Sequence, residues 1–329
     1  MATIETTTRI PAERERTLAL GAGLVTVTLW ASAFVGIRSA SHHLSPGALA
    51  LGAGLVTVTL WASAFVGIRS ASHHLSPGAL AFGRLSIASL ALGLILISRR
   101  EPLPSRRDLG VISLVGIFWF GLYNIVLNEA ERRVDAGTAA MLVNIGPILI
   151  AVLAGLVLGE GFPRRLFAGL AVALSGVFVI ATATSQNGLD ASWGALLCVV
   201  AAIFYAFGVV AQKPVLARVS ALQVTWLACT FGAVVCLPFA ASLGRQLSDA
   251  PASSIGWMVY LAIAPMALGF LTWGYALART TAGRMGSLTY LVPPIAVLLG
   301  WLLLGETPPG LALAGGAICL VGVFIARRR

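Results

Sequence analysis

The chain has 329 residues, of which 58% are apolar and only 10% charged, with a mean hydropathy of +0.92. A soluble domain carries about a quarter charged residues, so this chain cannot cover a water-facing surface and lipid must be its solvent. The formal net charge of +10 does not point to nucleic acid, because the basic residues lie scattered between apolar runs; cytoplasmic Lys and Arg that orient a membrane protein account for them.

Residues 1–17 mix acids and bases and hold no apolar core. They read as a cytoplasmic tail, not a cleaved signal peptide. A helix that crosses a bilayer core of about 30 Å takes about 20 apolar residues. Such segments fall at 18–38, 49–69, 79–98, 109–128, 136–158, 166–184, 193–213, 221–243, 255–278, 283–304 and 310–326. The number is odd because Leu20–Ala50 recurs without a change as Leu51–Ala81. Identity on that scale means a very recent tandem duplication or an artefact of the sequence record, and the sequence leaves both open. Residues 51–71 connect directly to the next segment and are expected to hold the first-helix slot, which makes 18–50 a surplus copy.

An older repeat has drifted. Leu158-Gly159-Glu160 closes one segment and Leu304-Gly305-Glu306 another, an offset of 146 positions. At that offset Ala136/Ala282, Gly137/Gly283, Pro147/Pro293, Pro163/Pro309, Gly169/Gly315 and Gly176-Val177-Phe178/Gly322-Val323-Phe324 also coincide. Two diverged membrane units are expected, 51–184 and 192–329, with five helices each once the surplus copy is set aside. The positive-inside rule puts Arg99, Arg100, Arg106 and Arg107 in the cytoplasm, and with them Arg164/Arg165, Lys213/Arg218, Arg279/Arg284 and Arg327–Arg329. Both termini are then cytoplasmic, and an odd number of spans per half inverts the second half relative to the first.

Several motifs carry a family resemblance. Each unit ends in LGE…P…GxxxxxxGVF, the first helix reads TLWASAFVGIRSA at 59–71, and Asn144-Ile145-Gly146-Pro147 and Tyr290-Leu291-Val292-Pro293-Pro294 precede the two LGE motifs. In these the chain resembles the drug/metabolite transporter superfamily, in its EamA-type branch, over nearly its whole length apart from the tail and the extra copy. The resemblance implies an all-α integral membrane protein of ten helices in the cell's inner membrane. It also implies export of a small molecule by alternating access through a central cavity. Aromatic-rich helices make the chain most similar to the aromatic amino acid exporters of that branch. Because the family exports amino acids, other metabolites and drugs, a multidrug exporter, a sugar- or nucleotide-type carrier and a proton-coupled antiporter stay as alternatives. A monomer and a homodimer are both open.

Candidate cavity residues follow from cost. Pro147 and Pro293 sit mid-segment at matched positions, where proline removes a backbone donor and frees a carbonyl that protein or a wet cavity must satisfy. Asn144 and Tyr290 lie one turn earlier on the same face. Arg84 is the one charge well inside an apolar run; at that depth it is a candidate for a substrate carboxylate, although it is close enough to Gly78 to snorkel to the interface. Trp61, Phe65, Trp119, Tyr123, Asn124, Tyr205, Trp226 and Trp273 supply rings and an amide at mid-depth, suited to an aromatic or apolar substrate. Thr59, Ser63 and Gly67 form a small-residue stripe, as do Gly169/Gly176 and Gly315/Gly322; these read as helix packing, with Ser63 also counted among the cavity candidates.

No Asp or Glu lies in the middle of a segment, so facilitated movement is the expected default over proton coupling. The two LGE acids read as structural, and the His42/His43 and His73/His74 pairs as loop residues. Cys198, Cys229, Cys236 and Cys319 all lie in apolar segments without ligand spacing, and no metal or cofactor is expected. An intramembrane enzyme would need a nucleophile and base at depth, which this pattern does not offer.

Overall fold

The computed structural model describes residues 46–157, 164–185, 189–280, 285 and 288–327. The tail, the expected segment at 18–38 and Glu160 of the first LGE motif lie outside the described residues. Those described are helical throughout, with no strand among them. The helices are α1 (Pro46–Ala71), α2 (Pro77–Arg99), α3 (Arg106–Ala130), α4 (Ala136–Val157), α5 (Arg164–Ser185), α6 (Leu189–Val215), α7 (Ala221–Cys236), α8 (Ala240–Asp249), α9 (Ala252–Arg279), α10 (Thr289–Leu304) and α11 (Gly310–Arg327).

Six of these are long and apolar enough to cross a membrane, or seven if α7 and the bent stretch after it count as one span. Three shorter apolar helices run through Phe167–Ala183, Thr289–Leu304 and Gly310–Gly322. Leu90, Leu94 and Ile97 stand exposed on α2, as do Phe178 on α5 and Trp301 on α10. An outer surface built of such side chains suits lipid.

Local sequence explains where helices start and stop. Ser105, Asp135 and Ser220 stand at N-caps, and their side-chain oxygens accept from the N–H of Asp108, Thr138 and Gln223, satisfying donors that a helix start leaves open. Gly305 of the second LGE motif ends α10 in the left-handed region, at φ 69°, where only glycine carries no Cβ cost. The segment at 221–243, expected as one span, bends by 58° between Ala221–Val235 and Leu237–Asp249. Pro238 sits at the bend; its ring cannot follow a straight helix.

Irregular turns respect the 146-residue offset. α3 widens to π geometry over Gly116–Leu122, and α9 does so over Ala262–Leu268. α4 breaks at Asn144 and Ile145, and α10 begins with a tight turn at Thr289–Leu291. In the first pair the second stretch is the first moved by the offset that relates the two LGE motifs, and in the second pair the moved positions, 290 and 291, fall within the tight turn.

Packing also repeats under exchange of the halves. α1 packs on α9 and α10, while α6 packs on α3 and α4; α2 meets α7, and α5 meets α11. The α5/α11 seam is the tightest approach. A Cβ added to Gly176 would stand 2.6 Å from the Cys319 nitrogen and from the Gly315 carbonyl, and one added to Gly322 would collide with the Ala173 nitrogen. The glycine stripes thus let two backbones touch. All four cysteines are buried and unpaired.

Polar contacts gather at two ends. One end holds the ion pairs Arg69–Glu306 (2.9 Å) and Arg133–Asp190 (2.9 Å), and the Ser76 N–H donated to Gln246 Oε1 (2.8 Å). The other holds the pair Arg218–Asp108, the Gln223 amide donated to the Pro102 carbonyl (2.8 Å), and Lys213 Nζ on the Thr280 carbonyl (2.8 Å). The hydrogen bond to Asp108 raises the pKa of the Arg218 guanidinium. This division matches the charge sorting read from the loops.

Backbone atoms cannot give way, so Gly176→Ala should cost about 1–3 kcal/mol through overpacking and lower the thermal unfolding midpoint of the purified protein. Gly52→Ala, which meets nothing within 4 Å, should leave the midpoint unchanged or slightly raised.

Candidate functional site

Between the halves lies a cavity enclosing about 680 Å³ of empty space, its open mouth included. Among the described residues its wall takes side chains from α1, α2, α3, α4, α6, α9 and α10, and none from α5, α7, α8 or α11. The widened turns of α3 and α9 contribute directly. Trp119 lies in the first; Pro265 and Met266 lie in the second.

The centre of the wall is an aromatic cluster. Trp61 stands 6.3 Å from Trp119, 6.2 Å from Tyr205, 5.1 Å from Phe270 and 4.9 Å from Trp273, ring centre to ring centre. Trp119 lies 5.5 Å from Tyr205 and 5.0 Å from Phe270. Trp61 is fixed by its Nε1–H, which donates to the Pro265 carbonyl at 3.3 Å. Missing side chains make room for this cluster: a Cβ on Gly208 would stand 2.5 Å from the Trp119 ring, and one on Gly146 would collide with the Tyr205 ring. The rings therefore sit at depths where their neighbours on α6 and α4 have no side chain.

Eight of the fourteen candidates line the cavity: Trp61, Phe65, Arg84, Trp119, Tyr123, Asn124, Asn144 and Tyr205. The other six lie off it. Ser63 bonds the Leu60 carbonyl and the Tyr260 hydroxyl on α9. Trp273 is fully buried behind Trp61. Trp226 turns toward Gly93 on α2. Tyr290 packs beside Ile148 and Ala173. Pro147 and Pro293 are buried next to the breaks in α4 and α10. Phe270, Pro265, Met266 and Thr289 join the wall without having been singled out. Pro265 is a mid-segment proline like the two that were, and that signal was available; Phe270 is distinguished from Trp273 only by which face of α9 turns inward.

Polar groups on the wall are few. Arg84 is 4% exposed, and its Nε and Nη1 have no hydrogen-bond partner. The burial excludes snorkelling in this state. The Asn144 amide nitrogen is likewise buried and unpartnered, while the Asn124 amide donates to the Phe120 carbonyl at 2.6 Å. The wall can thus stack a flat apolar group against rings and offer N–H donors to an anionic one. Among the described residues no group of three or more His, Cys, Asp or Glu could hold a metal.

One functional candidate escaped the sequence. Glu131, in the loop after α3, is completely buried, and neither carboxylate oxygen has a partner. Burial pushes its carboxyl well above the usual carboxylate range, with Arg69 and Arg84 pulling the other way. Its place outside an apolar segment gave no sign of this.

Comparison with known proteins bears on what the cavity is for. The model of the EamA-like transporter family matches residues 48–182 and 192–328. A protein of Streptantibioticus cattleyicolor described as a probable terminal-alkyne amino-acid exporter is 39% identical over 247 residues, covering 75% of this chain and 82% of that one. The uncharacterized transporter YdfC of Bacillus subtilis is 32% identical, covering 90% and 87%. A probable amino-acid metabolite efflux pump of Salmonella typhimurium is 27% identical, covering 63% and 72%. One solved crystal structure shares the fold, with a TM-score of 0.60 at 20% identity, covering 85% of this chain and 98% of that one.

Since a rigid indole fills the space beside Gly208, Gly208→Ala should displace Trp119 at a cost of about 1–3 kcal/mol. A lower thermal midpoint and an altered near-ultraviolet circular dichroism spectrum are expected; if neither moves, Trp119 is not held against that glycine.

Proposed function

The chain belongs to the EamA-like transporter family, a family of transporters and not enzymes, and on that footing we propose that it exports amino acids, aromatic ones included, from the cell. Arg84 carries the proposal. A buried guanidinium with two unpartnered N–H donors stands on the wall of a cavity that is otherwise largely ring and aliphatic surface. Leaving a charge unpaired in such a place is costly, and a carboxylate arriving with the substrate would satisfy it. The Trp61, Trp119 and Phe270 rings then receive the side chain. Two relatives whose descriptions name amino acids or amino-acid metabolites as cargo agree with that substrate class.

Movement follows by alternating access of two inverted five-helix units in the inner membrane, with both termini in the cytoplasm. Support for ten spans comes from the six long apolar helices, the bent pair and the three shorter ones. Support for two related units comes from packing that repeats under exchange of the halves and from helix interruptions at matched offsets. The first slot falls to residues 51–71, within α1. The end with Arg69 and Glu306 faces outward and the end with Asp108 and Arg218 faces the cytoplasm, following the positive-inside rule. Facilitated movement was expected for want of an acid in the middle of a segment; Glu131 lies at the end of α3 yet is buried, which puts proton coupling beside it.

Counterflow of labelled phenylalanine, tryptophan and threonine into proteoliposomes tests the proposal. Saturable uptake with mutual competition among the aromatic amino acids is expected, and no uptake of any amino acid would sink the substrate class. Arg84→Met should lower uptake at low substrate by about tenfold to a hundredfold, the loss of a charged hydrogen bond worth about 1.5–3 kcal/mol; uptake unchanged by that substitution would remove the carboxylate from Arg84.

A further inference from the structure

The outward end holds a group that the substrate reading does not use. Glu131 is 0% exposed, and both its carboxylate oxygens lack a hydrogen-bond partner. The cation beside it is committed elsewhere. Arg69 Nε donates to Glu306 Oε1 at 2.9 Å, and its Nη1 donates to the main-chain carbonyl of Glu131 at 2.7 Å, not to the carboxylate. Arg84, on α2, also acts on Glu131, but its unpaired donors belong to the cavity wall.

The remaining charges that face Glu131 are acids. Asp135 caps α4 through the Thr138 N–H, and Glu306 keeps its Oε2 buried without a partner. Tyr123 on α3 and Cys198 on α6 are the ionisable neighbours on the other packed helices. Asn128, three residues before Glu131, gives its amide to the Pro77 carbonyl at 3.0 Å and leaves its Oδ1 buried and unpaired. Unpartnered acceptors gather here, namely both Glu131 oxygens, Glu306 Oε2 and Asn128 Oδ1. An ionised carboxylate would hold a charge on two such acceptors in a place closed to water, whereas a protonated carboxyl is neutral and brings an O–H donor of its own.

We propose that Glu131 is a proton-binding site of the transport cycle, protonated while the outward end is closed and ionised when that end opens to water. This rests on the alternating-access reading above, though not on the amino acid substrate. The sign follows from linkage. Opening returns the carboxyl to water and to its ordinary ionisation, so the closed state binds the extra proton. Opening becomes more favourable as pH rises above the ordinary carboxylate range, by at most about tenfold per pH unit for one proton. It levels off once the carboxyl is ionised in both states. Release of the proton accompanies the breaking of the Arg69 contacts that join α1 to the ends of α3 and α10.

Accessibility of the closed end, measured without substrate, tests this. Ser72 follows α1 and is buried, and His73 beside it is exposed. In the membrane-embedded full chain, the labelling rate of Ser72→Cys by an impermeant maleimide is divided by that of His73→Cys, which removes the reagent's own pH dependence. The ratio should rise with external pH in the parent, stay at its low-pH value with Glu131→Gln, and rise at a shifted pH with Glu131→Asp. A ratio flat with pH in the parent, or rising equally with Glu131→Gln, overturns the proposal; should Glu131→Gln fail to fold, the parent profile and the shift with Glu131→Asp decide it. Phenylalanine counterflow is read separately. Its failure beside a pH-dependent ratio removes the substrate class and leaves the proton site standing, and the converse removes the proton site alone.

Discussion

In hydrocarbon every backbone N–H and C=O needs a protein partner, and the rest of this structure depends on how the chain meets that demand while still interrupting its helices. It does so at few places and in pairs. The widened turns of α3 and α9 and the breaks in α4 and α10 lie around one cavity. Glycines and prolines occupy these stretches, and aromatic side chains from neighbouring helices fill the space they leave. Trp61 uses its indole N–H on the Pro265 carbonyl, so a ring of the cavity wall also serves the backbone. Disrupting the cavity and disrupting the fold are for that reason hard to separate at the ring positions, and easier to separate at Arg84, which holds no hydrogen bond through its Nε or Nη1.

Much of this was legible in the sequence, for physical reasons. Apolar runs of membrane length gave the helices, because lipid leaves little choice of secondary structure. The offset between the LGE motifs gave the matched positions at which the helices later proved irregular. Aromatic residues and Arg84 were legible because each is expensive or unusual at depth. What escaped was orientation around a helix axis. Trp273 and Phe270 are three residues apart on α9, and composition does not tell which faces inward once π geometry has rotated the register. Ser63 and Trp226 likewise turn toward neighbouring helices, off the cavity wall. Glu131 escaped because loop position suggests water, while in the fold it is fully buried, with Arg69 of the Arg69–Glu306 pair on its main-chain carbonyl. The bend at Pro238 was signalled by the proline itself, but an apolar run of spanning length outweighed it.

The two ends of the bundle differ in what ties them. At one, Arg69 of the first half reaches Glu306 of the second and the main chain after α3. At the other, Asp108 of the first half meets Arg218 of the second, backed by main-chain contacts of Lys213 and Gln223. Both latches join residues of opposite halves through a guanidinium and a carboxylate. Partly exposed pairs of that kind are individually weak, which suits the alternating access proposed above. The buried charges nearer the centre are of another kind, since they have no latch partner to lose.

The glycine-lined seam of α5 and α11 has a consequence for how such a protein can diversify. Backbone touches backbone there, and among the described residues neither helix contributes to the cavity wall. Descendants of this chain can therefore change groups in the wall, at Arg84 or Asn144 more freely than at the packed rings, while this one seam between the halves is inherited unaltered. Part of the contact between the halves is thus kept clear of the residues that meet the cavity.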